Sequence, residues 1–382
     1  MPELESKLPG VGTTIFTVMS RLAEDCQAIN LSQGFPDFQP PVELLERVTH
    51  HLHAGHNQYP HMAGVPALRE QIAVKIERLY GVASDPEAEI TVTSGATEAL
   101  FCAIHAVVRP GDEVIVFDPA YDSYDPAITL AGARTRHLPL TLPGFEINWD
   151  RFRAALTDRT RLIVINSPHN PSGSLLSAAA LDQLADELEG HDAYVLSDEV
   201  YEHIVFDGQS HATVLANERL ATRSFAVFSF GKTYHATGWK VGYCVAPPEL
   251  TQEFRRVHQF NTFTTVTPLQ HALADYLADC PEHYLGLGRF YEEKRDLFLE
   301  LFSSSRLQFE PSLGTYFQLA RYDAVSDLPD HEFARWLTKE HGVAVIPITA
   351  FYERPPEARY IRFCFAKESE TLRAAAQRLA AL

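Results

Sequence analysis

The segment Ser229-Phe230-Gly231-Lys232 places a lysine just past the end of an apolar run and behind a glycine. A lysine drawn out of water loses its proton more readily, and its neutral amine attacks carbonyls to form a Schiff base. Alone, the pattern is more often that of a lysine on a surface loop. Eight positions on, Thr237-Gly238-Trp239-Lys240-Val241-Gly242 carries a second cation flanked by glycines. With the Ser229 hydroxyl, Lys240 could hold a phosphate group, acting as a point charge. The two segments together are far more specific than either.

Four further segments supply complementary chemistry. Asp198, in Ser197-Asp198-Glu199-Val200-Tyr201, closes another apolar run. A carboxylate there needs a cationic partner to stay ionised. A protonated pyridine nitrogen would serve, and the protonated ring would then act as an electron sink; capping a helix is the plainer role. Tyr201 would reach the same ring if the segment coils. Thr93-Ser94-Gly95-Ala96-Thr97-Glu98 follows a predicted strand and opens a helix, so small residues and a helix N-terminus could receive an anion, although a simple cap also explains Ser94 and Glu98. Asn166-Ser167-Pro168-His169-Asn170-Pro171 is a rigid turn that either presents Asn170 to a ligand or is purely structural. Arg362, in Tyr360-Ile361-Arg362-Phe363, is the one charge in an apolar strand. It lies on a wet face or binds a carboxylate with its planar fork.

The elements that must position these groups read as strands at 89–93, 113–118, 161–166, 193–198, 225–230 and 241–246, with helices between them such as 98–108 and 177–189. The runs are too apolar to have a wet face, which predicts a mostly parallel sheet covered on both sides. Ligands of such sheets sit outside the carboxyl ends of the strands, so Ser94, Asp118, Asn166, Asp198, Ser229 and Lys232 are the residues to inspect. Beyond about residue 290 the pattern changes to a helix over 291–302, strands at 307–310 and 315–319, a helix at 331–340 and strands at 343–347 and 359–366. The predicted organisation is an N-terminal segment (1–40) joining a small α+β domain (289–382), with a large α/β domain (41–288) between them.

The net charge of −18, from 32 Lys and Arg against 50 Asp and Glu, argues against nucleic acid as a partner. The five cysteines include no Cys-x-x-Cys pair, which argues against a disulfide framework or a structural zinc, and no metal site is expected. The start MPELESKLPG has no signal-peptide pattern, and no apolar stretch approaches the ~20 residues of a membrane span. The expectation is a cytoplasmic enzyme with no membrane contact.

Taken together, these segments resemble the class I/II aminotransferases of the aspartate-aminotransferase fold type, in particular the kynurenine and bacterial methionine aminotransferase subgroups. The resemblance extends from Ile29-Asn30-Leu31-Ser32-Gln33-Gly34-Phe35-Pro36-Asp37-Phe38 to Ile361-Arg362-Phe363. It implies pyridoxal-phosphate (PLP) transferase fold type I, with a mostly parallel seven-stranded sheet between helices plus a small α+β domain. It implies PLP held as a Schiff base on Lys232, which then moves the proton at Cα, with Asp198 on the pyridine nitrogen and Tyr201 and Asn170 on the phenolic oxygen. Tyr121 would stack on the ring, Gly95, Ala96, Thr97, Ser229 and Lys240 would hold the phosphate, and Arg362, Asn170 and Gly34 the substrate carboxylate. Many members have arginine at the position of Lys240; the subgroup resembled has lysine. Tyr59, in Asn57-Gln58-Tyr59-Pro60, would reach the phosphate of a neighbouring subunit, which implies a homodimer with shared active sites.

The reaction implied is ping-pong transfer of an α-amino group to a 2-oxo acid. Phe16, Tyr59 and His61 suggest an uncharged pocket for methionine and aromatic or other large neutral amino acids, kynurenine included. The rival enzyme is a C–S β-lyase, and the non-enzyme alternative is a PLP-binding regulatory protein.

Overall fold

All six apolar runs become strands of one seven-stranded sheet in the computed structural model, which describes residues 2, 4–380 and 382. Residues 1 and 3 of the expected N-terminal segment, and residue 381 of the expected C-terminal unit, lie outside the described residues. Across the sheet the order is Ile90–Thr93, Gly242–Val245, Ser224–Ser229, Tyr194–Asp198, Thr160–Asn166, Glu113–Asp118 and Arg134–Pro139. Only Gly242–Val245 runs antiparallel to its neighbours.

Alternate side chains of these strands point into two separate cores. Val114, Val116, Leu162, Val164 and Val227 pack beneath helix Gly95–Val107, while Ile115, Ile163, Ile165, Ala226 and Phe228 fill the opposite side. Each fully buried residue of this kind contributes roughly 1.5–3 kcal/mol, so both faces favour the parallel arrangement that the unbroken apolar runs predict. The seventh strand, Arg134–Pro139, reads Arg-Thr-Arg-His-Leu-Pro and lies half-exposed at the edge. Its polarity hides it from a search for apolar runs and also discourages pairing with another chain.

The C-terminal part forms a four-stranded antiparallel sheet in the order Ile346–Pro347, Tyr360–Cys364, Phe317–Arg321 and Gln308–Phe309. Beside it, Ile29–Asn30 of the N-terminal segment pairs in parallel with Val343–Ala344 in a separate two-stranded sheet. Helix Pro281–Phe302 begins at residue 281, not 291, and runs through the expected boundary at 288/289. Two glycines in its first half weaken the helical signal, and Gly288 is there for proximity, since a Cβ would lie 3.0 Å from the Val205 carbonyl. Among the described residues, no helix is long and apolar enough to cross a membrane.

A buried ionic cluster backs the sheet. Lys75, 3% exposed, is bonded to Glu202 and donates to the Tyr243 hydroxyl at 2.7 Å, while Tyr80 donates to the other Glu202 oxygen at 2.5 Å. Removing one partner of such a pair leaves an uncompensated buried charge. Lys75→Met is therefore expected to lower the unfolding free energy by roughly 3–5 kcal/mol, measured from the denaturant midpoint. A change under about 1 kcal/mol would show that the pair is energetically idle.

Candidate active site

The sheet register sets the first corner of the site. Ser229 lies opposite Gly242, which lies opposite Thr93 on its other side, so two strand ends and one strand start form a row. Helix Gly95–Val107 begins directly above this row, and the Ser94 side chain does not cap it. Glu98 instead reaches back to the Ser94 N–H at 2.8 Å. The first-turn amides of the helix are thus available to an anion. Gly242 lets the helix approach: a Cβ there would stand 2.6 Å from the Phe228 carbonyl and 2.8 Å from the Ala96 nitrogen. Gly95 has φ +76°, and a side chain on it would meet Lys240 Cε at 3.2 Å. Lys240 itself adopts a left-handed backbone, φ 54°, uncommon for a lysine, and its Nζ lies 3.4 Å from Thr97 Oγ1. The Lys240 cation, the hydroxyl residues Ser229 and Thr97 and a helix N-terminus thus line one end of the cleft.

The centre is built by the next two strands, whose last residues, Asn166 and Asp198, are register partners. Asp198 is 4% exposed; it accepts from the Tyr124 hydroxyl at 2.6 Å and from the Val200 N–H at 3.4 Å. Burial nevertheless raises its pKa to about 6, because neither donor brings a full positive charge. The segment after it coils, with the Glu202 N–H bonded to the Glu199 carbonyl, and this brings Tyr201 into the same cleft. Lys232 sits on the short helix Phe230–Thr233; its Nζ is 3.4 Å from the Gly34 carbonyl and 5.6 Å from the ring centres of both Tyr201 and Tyr316. Burial lowers its pKa to about 8, and the positive charges of Lys240 and Arg362 push the same way. A sizeable fraction of this amine is therefore neutral and nucleophilic near neutral pH.

Arg362 forms the third corner. It is fully buried on strand Tyr360–Cys364, with its guanidinium carbon 3.9 Å from the centre of the Phe317 ring. Nη1 donates to Asn170 Oδ1 at 2.8 Å and Nη2 to the Ser32 carbonyl at 3.0 Å, whereas Nε has no partner. Asn170 is itself fixed by its N–H to Asn166 Oδ1 at 2.8 Å. No carboxylate pairs with this arginine among the described residues. Burial lowers its pKa to about 10, still well above neutrality. A buried cation with a free edge, braced by neutral groups, fits an incoming carboxylate.

Phe16, Gly34, Gly95, Ala96, Thr97, Tyr121, Asn170, Asp198, Tyr201, Ser229, Lys232, Lys240 and Arg362 all line this single cleft. Tyr59 does not: it is 82% exposed and packs edge-on against Phe263. His61 is also outside, accepting from the Ala63 N–H at 3.2 Å. Asp118 is a structural residue, held by His137 at 2.8 Å and the Glu353 N–H at 2.9 Å. The sequence reading missed Tyr124, which holds Asp198, and Tyr316 and Phe317, which floor Lys232 and Arg362. Aromatic residues in apolar company carry no local mark of such roles. Gln33 and Thr237 also line the cleft, each adjacent to a glycine already singled out.

Strand ends of the large sheet that gather a low-pKa amine and an open helix N-terminus, facing a buried arginine of the four-stranded sheet, suit a group-transfer enzyme for small acids. The profile of the family described as aminotransferase class I and II matches residues 27–379, and the chain belongs to that family. It is an aminotransferase with the type I fold, acting on amino acids and 2-oxo acids. It is 56% identical to a methionine aminotransferase of Escherichia coli, over 98% of this chain and 97% of that protein. A solved Escherichia coli structure with a methionine aminotransferase function superposes with a TM-score of 0.98 at 55% identity, covering 100% of both chains. Rat kynurenine–oxoglutarate transaminase 1 is 33% identical over 98% of this chain and 96% of its own.

The cradle gives a direct test of the close approach at Gly242. Gly242→Ala places a methyl against two backbone groups that cannot rotate away. It is expected to cost about 1–3 kcal/mol of stability, and to weaken binding of inorganic phosphate to the cofactor-free protein. An unchanged melting temperature and phosphate affinity would contradict that account.

Proposed function

We propose that the chain is a pyridoxal 5′-phosphate aminotransferase of methionine and of aromatic or other large neutral amino acids, including kynurenine. The observation that carries the cofactor is Asp198, a buried carboxylate whose partners are a phenol and an amide, in one cleft with a low-pKa lysine and an open helix N-terminus. That donor set fits a group with a basic ring nitrogen, a carbonyl and a phosphate. When bound, pyridoxal phosphate supplies the electron sink that lets an amino acid ionise at Cα.

The side chains divide the remaining work. Asp198 would hold the ring nitrogen in its protonated form, and Tyr121 would lie against the ring face. Asn170 and Tyr201 would bind the phenolic oxygen. Gly95, Ala96, Thr97, Ser229 and Lys240 would take the phosphate. The Lys232 amine would attach the cofactor and, once displaced by substrate, would take the proton from the substrate Cα and return it to the carbon on the far side of the amino nitrogen. Arg362, steadied by Asn170, fixes the α-carboxylate and so selects which Cα bond breaks, the choice that separates proton loss from loss of CO2 or a β-substituent.

Three cations line the cleft, Lys232, Lys240 and Arg362. Each has a role above, so none is left for an acidic side chain. Phe16 and Val200 offer apolar surface, and the name of the 56%-identical relative points the same way. We further propose a homodimer whose shared sites are completed by Tyr59, supported by the exposure of Tyr59, Phe260 (85%) and Val266 (53%). The division into 1–40, 41–288 and 289–382 is supported by the separation of the seven-stranded sheet from the four-stranded one and by the two-stranded pairing of Ile29–Asn30 with Val343–Ala344. A cytoplasmic location is supported by five free cysteines.

With a panel of amino acids and one 2-oxo acid, methionine and the aromatic amino acids are expected to give their oxo acids, and Lys232→Ala to lose at least ~10³-fold in rate, since it lacks both nucleophile and base. A preference for aspartate would overturn the substrate assignment, pyruvate and ammonia without transamination would indicate a β-lyase, and a Lys232→Ala protein that bound the cofactor covalently would refute the lysine assignment. A second measurement uses the pKa of Lys232. The neutral amine prevails above about pH 8 and the ammonium below it. The rate of covalent cofactor attachment to the cofactor-free protein should therefore rise through that pH and then level off, and a flat profile would contradict the assignment.

A further inference from the structure

Away from the cleft, helices Val42–His53 and Thr267–Asp279 lie antiparallel and are joined by a ladder of polar contacts. Arg47 pairs with Asp279 at 2.8 Å, and one turn on His51 Nε2 meets Asp275 Oδ2 at 2.7 Å. At the next step the rings of His56 and His271 stack with centroids 4.0 Å apart, and both lie within 5.2 Å of the His51 ring. One ring nitrogen of each of the three histidines lies within 4.8 Å of the other two.

We propose that His51, His56 and His271 form a binding site for a divalent transition-metal ion of the zinc class, clamping the two helices together. Imidazole suits such ions, whereas the hard cations Ca2+ and Mg2+ prefer oxygen. His51 is already oriented as a ligand. Its Nε2 faces the Asp275 carboxylate, leaving Nδ1 pointed at His56 Nδ1, 2.8 Å away. A carboxylate behind an imidazole fixes its tautomer and raises its basicity as a ligand.

Two ring nitrogens at that distance share one proton, and an ion replaces the proton by taking both lone pairs. Tetrahedral Zn–N bonds of 2.0–2.1 Å place ligand nitrogens ~3.3 Å apart, so the rings need to open by only about 0.5 Å. His51 is buried while His56 and His271 are half-buried, leaving a path from solvent. The other comparable group, Glu98 with Cys102 and His258, lacks this spare capacity. All three of its members are buried, so no ligand atom opens to solvent, and the Cys102 thiol is already donated to Glu98.

The cysteine pattern that argues against a zinc site says nothing about these histidines, which come together only when residues 51 and 271 meet. The clamp also has a structural neighbour of consequence. Thr267, at the start of the second helix, donates to the Gln58 carbonyl at 2.8 Å. Metal binding therefore stiffens the segment that carries Tyr59.

The test uses holoenzyme dialysed against a chelator and titrated calorimetrically with Zn2+, with melting followed in parallel. One equivalent per chain and a higher melting temperature are expected for the wild type. His56→Gln/His271→Gln should weaken binding at least tenfold and abolish the melting shift, and His53→Gln, on the same helix but outside the cluster, should change neither. Retained aminotransferase activity shows that the double variant is folded. Should it fail to fold, Asp275→Asn is expected to weaken Zn2+ by about 10–100-fold through loss of the carboxylate behind His51. Wild-type protein that binds no Zn2+, a folded double variant with unchanged affinity and stoichiometry, or Co2+ spectra with thiolate rather than imidazole character would overturn the proposal.

Discussion

The register between Ser229, Gly242 and Thr93 is the constraint on which the rest of the site depends. It brings a strand start and two strand ends to one edge of the sheet, so the loop before Gly95, the short helix carrying Lys232 and the turn carrying Lys240 emerge side by side. A one-residue slip of Gly242–Val245 would exchange the faces of Tyr243 and Cys244 and set a side chain where only glycine fits. The same backbone hydrogen bonds that stabilise the sheet thus fix the spacing of the cradle.

Around that frame the protein holds three charged groups without mutual neutralisation. Asp198 is braced by a phenol, Lys232 by aromatic faces and a carbonyl, and Arg362 by an amide oxygen, a carbonyl and the Phe317 ring. The pKa of each moves toward its neutral form because burial outweighs the partners available. Elsewhere the chain follows the opposite rule: Lys75 is matched to Glu202, and Glu113 is held by both Arg136 and Arg159. Buried Lys367 and Asp330 also lack an opposite charge, but each stands alone; what marks the cleft is that three such groups share it.

The residues legible in the sequence were those that break an apolar run. Asp198, Ser229 and Arg362 stand out because a polar residue ending or interrupting a buried strand needs a reason to be there. Lys232 and Lys240 gained meaning from the glycines beside them; the structure gives steric roles to Gly231, where a Cβ would lie 3.0 Å from Thr237 Cα, and to Gly242, while nothing crowds Gly238. Tyr124, Tyr316 and Phe317 were not legible, because an aromatic residue that packs and one that orients a catalytic group look alike until distances are known. Edge strand Arg134–Pro139 escaped because its polarity serves solvation, and the first turns of Pro281–Phe302 because Gly286 and Gly288 weaken the helical pattern, of which only Gly288 meets the neighbouring segment 203–205. The histidine cluster could not be read at all, since its members meet only through the packing of two distant helices.

Segment 29–37 links these features. Leu31 is woven into the C-terminal unit, donating to the Ala344 carbonyl and accepting from the Cys364 N–H. The chain then crosses the cleft with its carbonyls turned toward the cations: Ser32 to Arg362, Gly34 to Lys232 and Phe35 to Lys367. Tyr316 donates to the same Gly34 oxygen at 2.6 Å, and Phe317 lies so close that a Cβ on Gly34 would stand 2.9 Å from it. Arg362 and Lys232 are therefore spaced by one short stretch of backbone, with a glycine at its tightest point. Arg362, on the four-stranded sheet, and Lys232, just beyond the seven-stranded one, thus lean on the same three residues, Ser32 to Gly34.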